Sequence, residues 1–191
     1  MNSDYFSIEA ILAENQKVQC AFKQDLPNLG HLGGGSERHI KASNKLQIPI
    51  WLAYTIIFSD WADFMIPAAF NPRVKNALRA EAKSVRLSNL VGSGGSWYGF
   101  GKLIMDSLDG EQAEELSQML ESTFRHRLIE TIDQAQHFGV IGTSGVGGSA
   151  GDTSQIFREG LDTTERELFA LAQESARKVK KWYETSDKSR R

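Results

Sequence analysis

The spacing of hydrophobic and polar positions divides the chain into a strand-like beginning and a helical remainder. Apolar residues occupy alternate positions over residues 17–22 and again over residues 45–48, which predicts two half-buried strands. A short helix is expected before them, because Ser7 can accept a hydrogen bond from the first free backbone amides and cap it. Residues 1–48 are therefore predicted to form a small β-rich module.

The segment that follows changes from the strand pattern to the helical one at Pro49. Proline lacks a backbone donor and has a fixed φ, so it suits the first position of a helix. The residues from Ile50 to Phe58 are apolar on nearly every side of such a helix, and Thr55 is the one break. A helix of this kind needs neighbours on several faces, so we expect other helices or another chain to enclose it.

Beyond residue 58 the periodicity is almost entirely helical. A brief extended piece is predicted over residues 63–67, because Pro67 disfavours helix at the residue before it. The helical segments are predicted over residues 71–86, 97–108, 111–138 and about 153–183, with a glycine-rich mobile loop over residues 139–152.

Two of these helices carry long apolar stripes. In the helix over residues 111–138 we expect the buried stripe to contain Ala113, Leu116, Leu120, Phe124, Leu128, Ile132 and Ala135, widened by Met119 and Ile129. In the last helix a near-heptad series runs through Phe157, Leu161, Thr164, Leu168, Leu171, Ser175, Val179 and Trp182, with Gly160 a weak point. The predicted fold is α+β, mostly α, with the β-rich module followed by a larger all-helical domain over residues 49–191.

Composition and charge exclude only a few classes of protein function. The chain has 191 residues, of which 40% are hydrophobic and 24% charged, and its formal net charge is -2. Near-neutral charge argues against a surface devoted wholly to nucleic acid. Cys20 is the single cysteine, which excludes an internal disulfide and a thiolate zinc cluster. No apolar run approaches the ~20 residues of a membrane span, so we expect a soluble intracellular protein with no membrane contact.

Two catalytic patterns occur in the glycine-rich loop, but neither has the right surroundings. Gly145 to Ala150 fits a loose dinucleotide fingerprint, and Ser149 lies in a Gly-x-Ser-x-Gly nucleophile pattern. Both motifs work at a turn from a strand into a helix, whereas a predicted helix precedes this loop. The four histidines show no metal-binding spacing. We therefore predict no catalytic residue, no cofactor and no metal site, and a core role for Cys20.

The helix over residues 71–86 carries a basic stripe, namely Lys75, Arg79, Lys83 and Arg86. A solvated helix face is the commoner explanation for such a pattern, and a contact face for phosphates or an acidic partner is the alternative. We keep this stripe as a candidate basic contact face.

Several segments, taken together and in this order, resemble the Psf three subunits of the GINS DNA replication complex. No single segment is diagnostic, but their combination is specific and spans nearly the whole chain. They are Tyr5 to Cys20, Leu26 to Gly30, Lys45 to Ala53, Trp97 to Gly101, Thr123 to Arg127, and Leu161 to Phe169. The chain departs from the family at residues 92–97, where a glycine-rich sequence replaces the usual proline and aromatic residue.

The resemblance implies a non-catalytic structural subunit of the GINS heterotetramer, located in the nucleus. Its partners would be the three other GINS subunits and, through the assembly, the minichromosome maintenance helicase ring and the Cdc forty-five protein, with at most indirect DNA contact. The alternative hypothesis is a nucleic-acid-binding adaptor that uses the basic stripe. For the first hypothesis, the expected interface residues are Leu46, Pro49, Trp51, Leu52, Tyr98, Phe100, Phe124 and Leu168.

Overall fold

The computed structural model of the protein describes residues 7–34, 36–92, 96–108, 110–141 and 155–188. The main elements in chain order are α1 (Ile8–Glu14), β1 (Lys17–Phe22), β2 (Lys45–Pro49), α2 (Ile50–Phe58), β3 (Ala62–Met65), α3 (Pro72–Glu81), α4 (Trp97–Met105), α5 (Gly110–Ile141) and α6 (Thr163–Lys188). Short 3-10 helices lie at Gly30–Gly33, Ala68–Phe70 and Leu87–Asn89, and residues 155–159 are helical. The predicted α+β fold, mostly α, is confirmed.

A small antiparallel sheet forms the N-terminal part, with strand order β2-β1-β3. Val18, Cys20 and Phe22 are buried on one face of the central strand, as the alternating pattern predicted. Val18 lies opposite Ile48 on β2. Cys20 is fully buried, and this burial raises the pKa of its thiol to about 11. The thiol therefore stays protonated near neutral pH, and Cys20 acts as a small core residue.

The third strand, β3, lies beyond the predicted boundary at residue 48, where the sequence indicated only a brief extended piece. β3 pairs with β1 from Gln19 to Phe22, on the edge opposite β2. A central strand has backbone donors and acceptors along both edges, and β3 satisfies the second edge. Residues 63–65 of the extended piece predicted over 63–67 thus belong to the sheet. The β-rich part draws on residues 49–65, and α2 is the connection between two of its strands.

A single hydrophobic core joins this sheet to the helices. At its centre the Phe70 ring stacks on Trp97, with ring centroids 5.3 Å apart, and lies 5.7 Å from the ring of Phe100. Gly101 allows α4 to approach α5 closely, because a Cβ atom there would lie only 2.7 Å from a methyl carbon of Leu120. The sheet and the helical part therefore form one packed body through this core.

The helical part differs from the sequence prediction in the length of α3 and in the last helix. α3 ends at Glu81 rather than at residue 86, so Lys83 and Arg86 lie in the segment that follows it. The predicted helix over 153–183 is interrupted at residues 160–162, and α6 begins at Thr163. Gly160 packs against Arg86 at this interruption, where a Cβ atom would meet Arg86 atoms at 3.0 to 3.2 Å.

The buried face of α5 also differs from the predicted stripe. Ile129, expected to widen the stripe, is 73% exposed, and Ile132 is 38% exposed. The predicted burial of Leu116, Met119 and Ala135 is confirmed. Between them the buried positions are Thr123, Arg127 and Thr131, each at most 3% exposed and none of them in the predicted stripe. The middle of α5 therefore buries a polar line of side chains beside the predicted apolar stripe.

Candidate interaction surfaces and the buried polar cluster

Arg127 is an arginine with no exposed surface, held between α5 and the start of α6. Its guanidinium donates to both carboxylate oxygens of Glu165, from Nε at 2.7 Å and from Nη2 at 2.9 Å. Nη1 donates to the carbonyl oxygens of Ala82 and Val85 at 2.8 and 2.9 Å. The guanidinium thus donates to backbone carbonyls just after the end of α3, and these hydrogen bonds stabilise a non-helical backbone in that segment.

Asp162 joins the beginnings of two helices. Its Oδ1 accepts from the backbone amide of Trp97 at 2.6 Å, at the N-terminus of α4. Its Oδ2 accepts from the amide of Thr164 at 3.1 Å, in the first turn of α6. The Glu165 carboxylate accepts from the Asp162 amide at 3.1 Å, which completes a capping box. The capping box explains the interruption before Thr163, because it begins a new helix there.

The electrostatics of this buried polar cluster, defined as Arg127, Glu165, Asp162 and Tyr98, follow from its burial. Burial raises the pKa of Asp162 against the lowering effect of the Trp97 and Thr164 amide hydrogen bonds. The Tyr98 hydroxyl donates to Glu165 Oε1 at 2.9 Å, and burial together with the Glu165 charge raises its pKa. Tyr98 therefore remains a neutral donor, and the cluster fixes the relative positions of α4, α5 and α6.

Sequence reasoning did not find this cluster. The capping-box spacing from Asp162 to Glu165 was a usable signal for a helix start at residue 163, and the long apolar series across Gly160 obscured it. Arg127 had no comparable signal, because an isolated arginine in an amphipathic helix normally lies on the solvent face.

The candidate basic contact face is largely engaged within the chain. Lys75 forms an ion pair with Glu115, Lys83 Nζ lies 2.7 Å from Glu130, and Arg86 lies 3.9 Å from Glu159. The Lys83 hydrogen bond lowers the pKa of Glu130. Arg79 lines a cavity between α3 and α5 that also contains Glu115. These cations do not lie on one helix face, because α3 ends before Lys83 and Arg86.

The predicted interface residues fall into an internal group and a surface group. Phe100 is only 3% exposed in the chain's own core, which corrects its assignment to a partner surface. Tyr98 is part of the buried polar cluster and its ring packs edge-on against Phe124, with centroids 5.6 Å apart. Leu168 is partly buried. Leu46 and Leu52 are partly buried against the core, Pro49 is partly buried, and Trp51 is 53% exposed.

Two groups of large apolar side chains remain exposed. The first, which we call the N-terminal apolar face, lies on α1 and α2 and contains Ile8, Ile11, Leu12, Trp51 and Phe58, each at least 45% exposed. The backbone amide of Ile50 donates to the carbonyl of Gln16 at 2.9 Å, so the end of α1 adjoins the start of α2. The predicted enclosure of α2 is therefore incomplete within this chain.

The second group, the α6 outer stripe, consists of Leu171, Ser175, Val179 and Trp182. The three apolar members are between 52% and 65% exposed. Their spacing of four, four and three residues puts them on one side of the helix. From residue 177 to residue 185 every side chain of α6 is exposed, whichever way it points. This end of α6 therefore projects from the bundle.

Within the described part of the chain, no group of His, Cys, Asp and Glu side chains could hold a metal ion. Among the same residues, no helix has the length and apolar character needed to cross a membrane. The predicted glycine-rich loop lies largely outside the described residues, as do Ser149 and the segment from Gly145 to Ala150. Residues 93–95, within the departure noted from the family, are also outside them.

Comparison with known proteins agrees with this architecture. Residues 6–58 match the PSF3 N-terminal domain, and residues 69–184 match the GINS complex protein helical bundle domain. The chain is 32% identical over 184 residues to the "DNA replication complex GINS protein psf3" of Aspergillus fumigatus, covering 93% of this chain and 95% of that protein. It is 32% identical over 186 residues to the protein named PSF3 from Phaeosphaeria nodorum, covering 94% and 96%.

A less similar relative also aligns over nearly the whole length of both chains. The psf3 protein of Schizosaccharomyces pombe is 28% identical over 179 residues, covering 94% of this chain and 96% of that protein. Both matched domains occur in the order that the sheet and the helical bundle have here. The chain therefore belongs to the PSF3 family of subunits of the GINS DNA replication complex.

Proposed function

We propose that this chain is a non-catalytic structural subunit of a GINS heterotetramer, assembled with the three other GINS subunits. Family membership supports a role in DNA replication. The observation that carries the proposal is the apolar surface left uncovered on a well-packed chain. Phe58 is 94% exposed and Ile8 is 70% exposed, and side chains of this size favour burial by a partner.

The location of the exposed residues supports more than one contact region. The N-terminal apolar face lies beside the sheet, whereas the α6 outer stripe lies on a helix that leaves the bundle. A subunit that meets several partners needs separate surfaces of this kind. Trp51 is the central candidate on the first surface, because large aromatic side chains are enriched among residues that dominate binding energy.

At a finer level, we propose that the tetramer is a component of the replicative helicase assembly, needed for initiation and elongation of chromosomal DNA replication. In that assembly the chain would reach the minichromosome maintenance helicase ring and the Cdc forty-five protein as part of GINS, and it would act in the nucleus. No catalytic step is assigned to the chain itself. Buried polar groups such as Arg127 and Glu165 have structural partners that account for them.

Co-expression tests the proposal directly. Made alone, the chain is expected to aggregate, and made with the three other GINS subunits it is expected to co-purify as a soluble complex with equal amounts of each subunit. Size-exclusion chromatography with light scattering measures the outcome. A stable soluble monomer that does not bind the other subunits would overturn the proposal.

The alternative, a nucleic-acid-binding adaptor that uses Lys75, Arg79, Lys83 and Arg86, has less support because three of these cations have acidic partners within the chain. Replacing them by glutamine would reduce the salt dependence of DNA binding only if they contact phosphates. The same four-residue variant should assemble normally if the structural proposal is correct.

A further inference from the structure

The projecting end of α6 combines an apolar stripe with strong positive charge. Residues 177–185 contain Arg177, Lys178, Lys180 and Lys181 against the single acid Glu184. Lys178 forms an ion pair with Glu174 at 2.7 Å, but both side chains are more than half exposed, so that pair contributes little. Beside this charge, the exposed Trp182 and Tyr183 rings contact each other with centroids 4.9 Å apart.

Exposure of this end of α6 to water is unfavourable in free energy. A helix that extends beyond its packing neighbours has little to stabilise it, because most helical stability in proteins comes from tertiary packing. The exposed stripe also steps at the three-to-four-residue spacing with which one helix packs against another. Both properties indicate a helical partner laid along the stripe.

The positions of the cations identify the chemistry of that partner. At about 100° of rotation per residue, Lys178 lies about 20° from Leu171 at one edge of the α6 outer stripe, and Lys181 lies about 60° further round on the same side. Arg177 and Lys180 are about 100° or more from every member of the stripe. Cations that flank an apolar seam pair with acids that flank the seam of the facing helix. A nucleic acid would use the charge without needing the aliphatic members of the stripe, Leu171 and Val179.

We infer that the α6 outer stripe receives an amphipathic helix of another GINS subunit that carries Asp or Glu beside its apolar seam. This inference rests on the proposed function, because it takes the partner from the same complex. It adds the orientation of the contact, with Lys178 and Lys181 facing acids and Trp182 in the seam.

Charge reversal on the two sides of α6 tests this arrangement. The variant Lys178→Glu with Lys181→Glu is expected to lower the affinity for the co-expressed GINS subunits about tenfold in low salt. The matched control, Arg177→Glu with Lys180→Glu, makes the same charge change on the far side of the same helix and should leave the affinity within about twofold. Each variant is expressed together with the three other GINS subunits, and its affinity is measured from the dissociation of the purified complex on dilution, by light scattering.

Salt dependence and a DNA probe complete the test. Raising the salt concentration should weaken binding of the unaltered chain and have less effect on the Lys178/Lys181 variant. Equal loss in both variants, or no loss in either while the unaltered chain binds, overturns this inference and leaves the proposed function standing. Failure of the unaltered chain to bind the other subunits overturns the proposed function itself. A loss confined to binding of a labelled DNA oligonucleotide, with subunit affinity unchanged, overturns the inference in favour of nucleic acid.

Discussion

The two ends of α6 differ in the kind of side chain that is buried and the kind that is exposed. At its start, charged groups are buried: Arg127, Glu165 and Asp162 are each at most 2% exposed and satisfy one another and the backbone. At its other end, apolar groups are exposed, with Trp182 at 65%. The difference teaches that internal polar contacts fix the start of α6, while the apolar surface at its other end stays uncovered within the described part of the chain.

Removing the buried guanidinium of Arg127 should have the largest effect on the contrast between the two ends of α6. Arg127→Leu leaves the Glu165 carboxylate and the Ala82 and Val85 carbonyls without their donor, which should cost about 3–5 kcal/mol of stability. Hydrogen exchange of the α6 amides and thermal melting of the co-purified complex measure this loss. Arg125→Leu is the matched control on the same helix, because Arg125 is 74% exposed and forms a surface ion pair with Glu121 one turn away. Equal effects of the two changes would refute the structural role of Arg127.

Removing the carboxylate that caps both helices should have the next largest effect. Asp162→Ala loses acceptors at the starts of α4 and α6 and should cost about 2–3 kcal/mol, while Asp162→Asn keeps an acceptor and should cost less. Urea denaturation of the refolded chain or of the complex measures both. Asp106→Ala, an exposed position at the end of α4, should be nearly neutral.

The raised pKa of Asp162 also sets the sign of a pH effect. The folded state holds this proton at pH values where the unfolded chain has released it, so the stabilisation is complete below the ordinary aspartate pKa. It is lost as the pH rises through the raised value. The difference in unfolding free energy between the unaltered chain and Asp162→Asn should therefore fall with rising pH in that window. A difference that grows with pH would contradict the burial argument.

An exposed apolar residue should behave in the opposite way, with a large effect on assembly and a small one on folding. Trp51→Asp places a charge on the N-terminal apolar face, where the indole is 53% exposed. We expect about 2 kcal/mol or more of lost binding to the other subunits, with circular dichroism unchanged. As a control, deletion of residues 143–149 in the glycine-rich loop should weaken assembly less than Trp51→Asp does. Normal assembly of Trp51→Asp would remove this face from the interface.

The smallest effect is expected for a surface ion pair. Lys83→Gln removes the contact with Glu130 and should cost about 0.2–1 kcal/mol. Because Lys83 lowers the pKa of Glu130, the stabilisation is present above the ordinary glutamate pKa and disappears as the pH falls through the lowered value. Urea denaturation at a series of pH values measures it, with the exposed Lys102→Gln as control.

Local rules predicted much of the fold, because they depend on neighbouring residues only. Ser7 caps α1, and the alternation of Val18, Cys20 and Phe22 marks the buried face of β1. Pro49 marks the change from strand to helix as predicted, but it is the last residue of β2 and the N-cap of α2 rather than the first helical residue. β3 was only partly predicted, because its pairing with β1 is a contact between distant residues. Short strands of this kind depend on partners that the local sequence does not identify.

The exposed surfaces and the buried cluster were harder to predict for the same reason. Phe100 and Trp51 are both aromatic residues in apolar helices, and only the packing shows that one is buried and the other exposed. Arg127 is buried because Glu165 and two carbonyl groups come to it from distant parts of the chain. A pattern based on hydrophobicity places such an arginine in solvent, so it misses the polar side chains on the buried side of α5.

The burial of Cys20 has a practical consequence for labelling. Its side chain has no exposed surface and its thiol pKa is about 11, so a maleimide reagent at neutral pH should react with it very slowly in the folded chain. Because it is the only cysteine, the natural sequence serves as an unreactive background. A cysteine introduced at Val179 would then be a fast-reacting thiol if it is exposed, and its slow reaction in the co-expressed complex would show that a partner covers this part of α6.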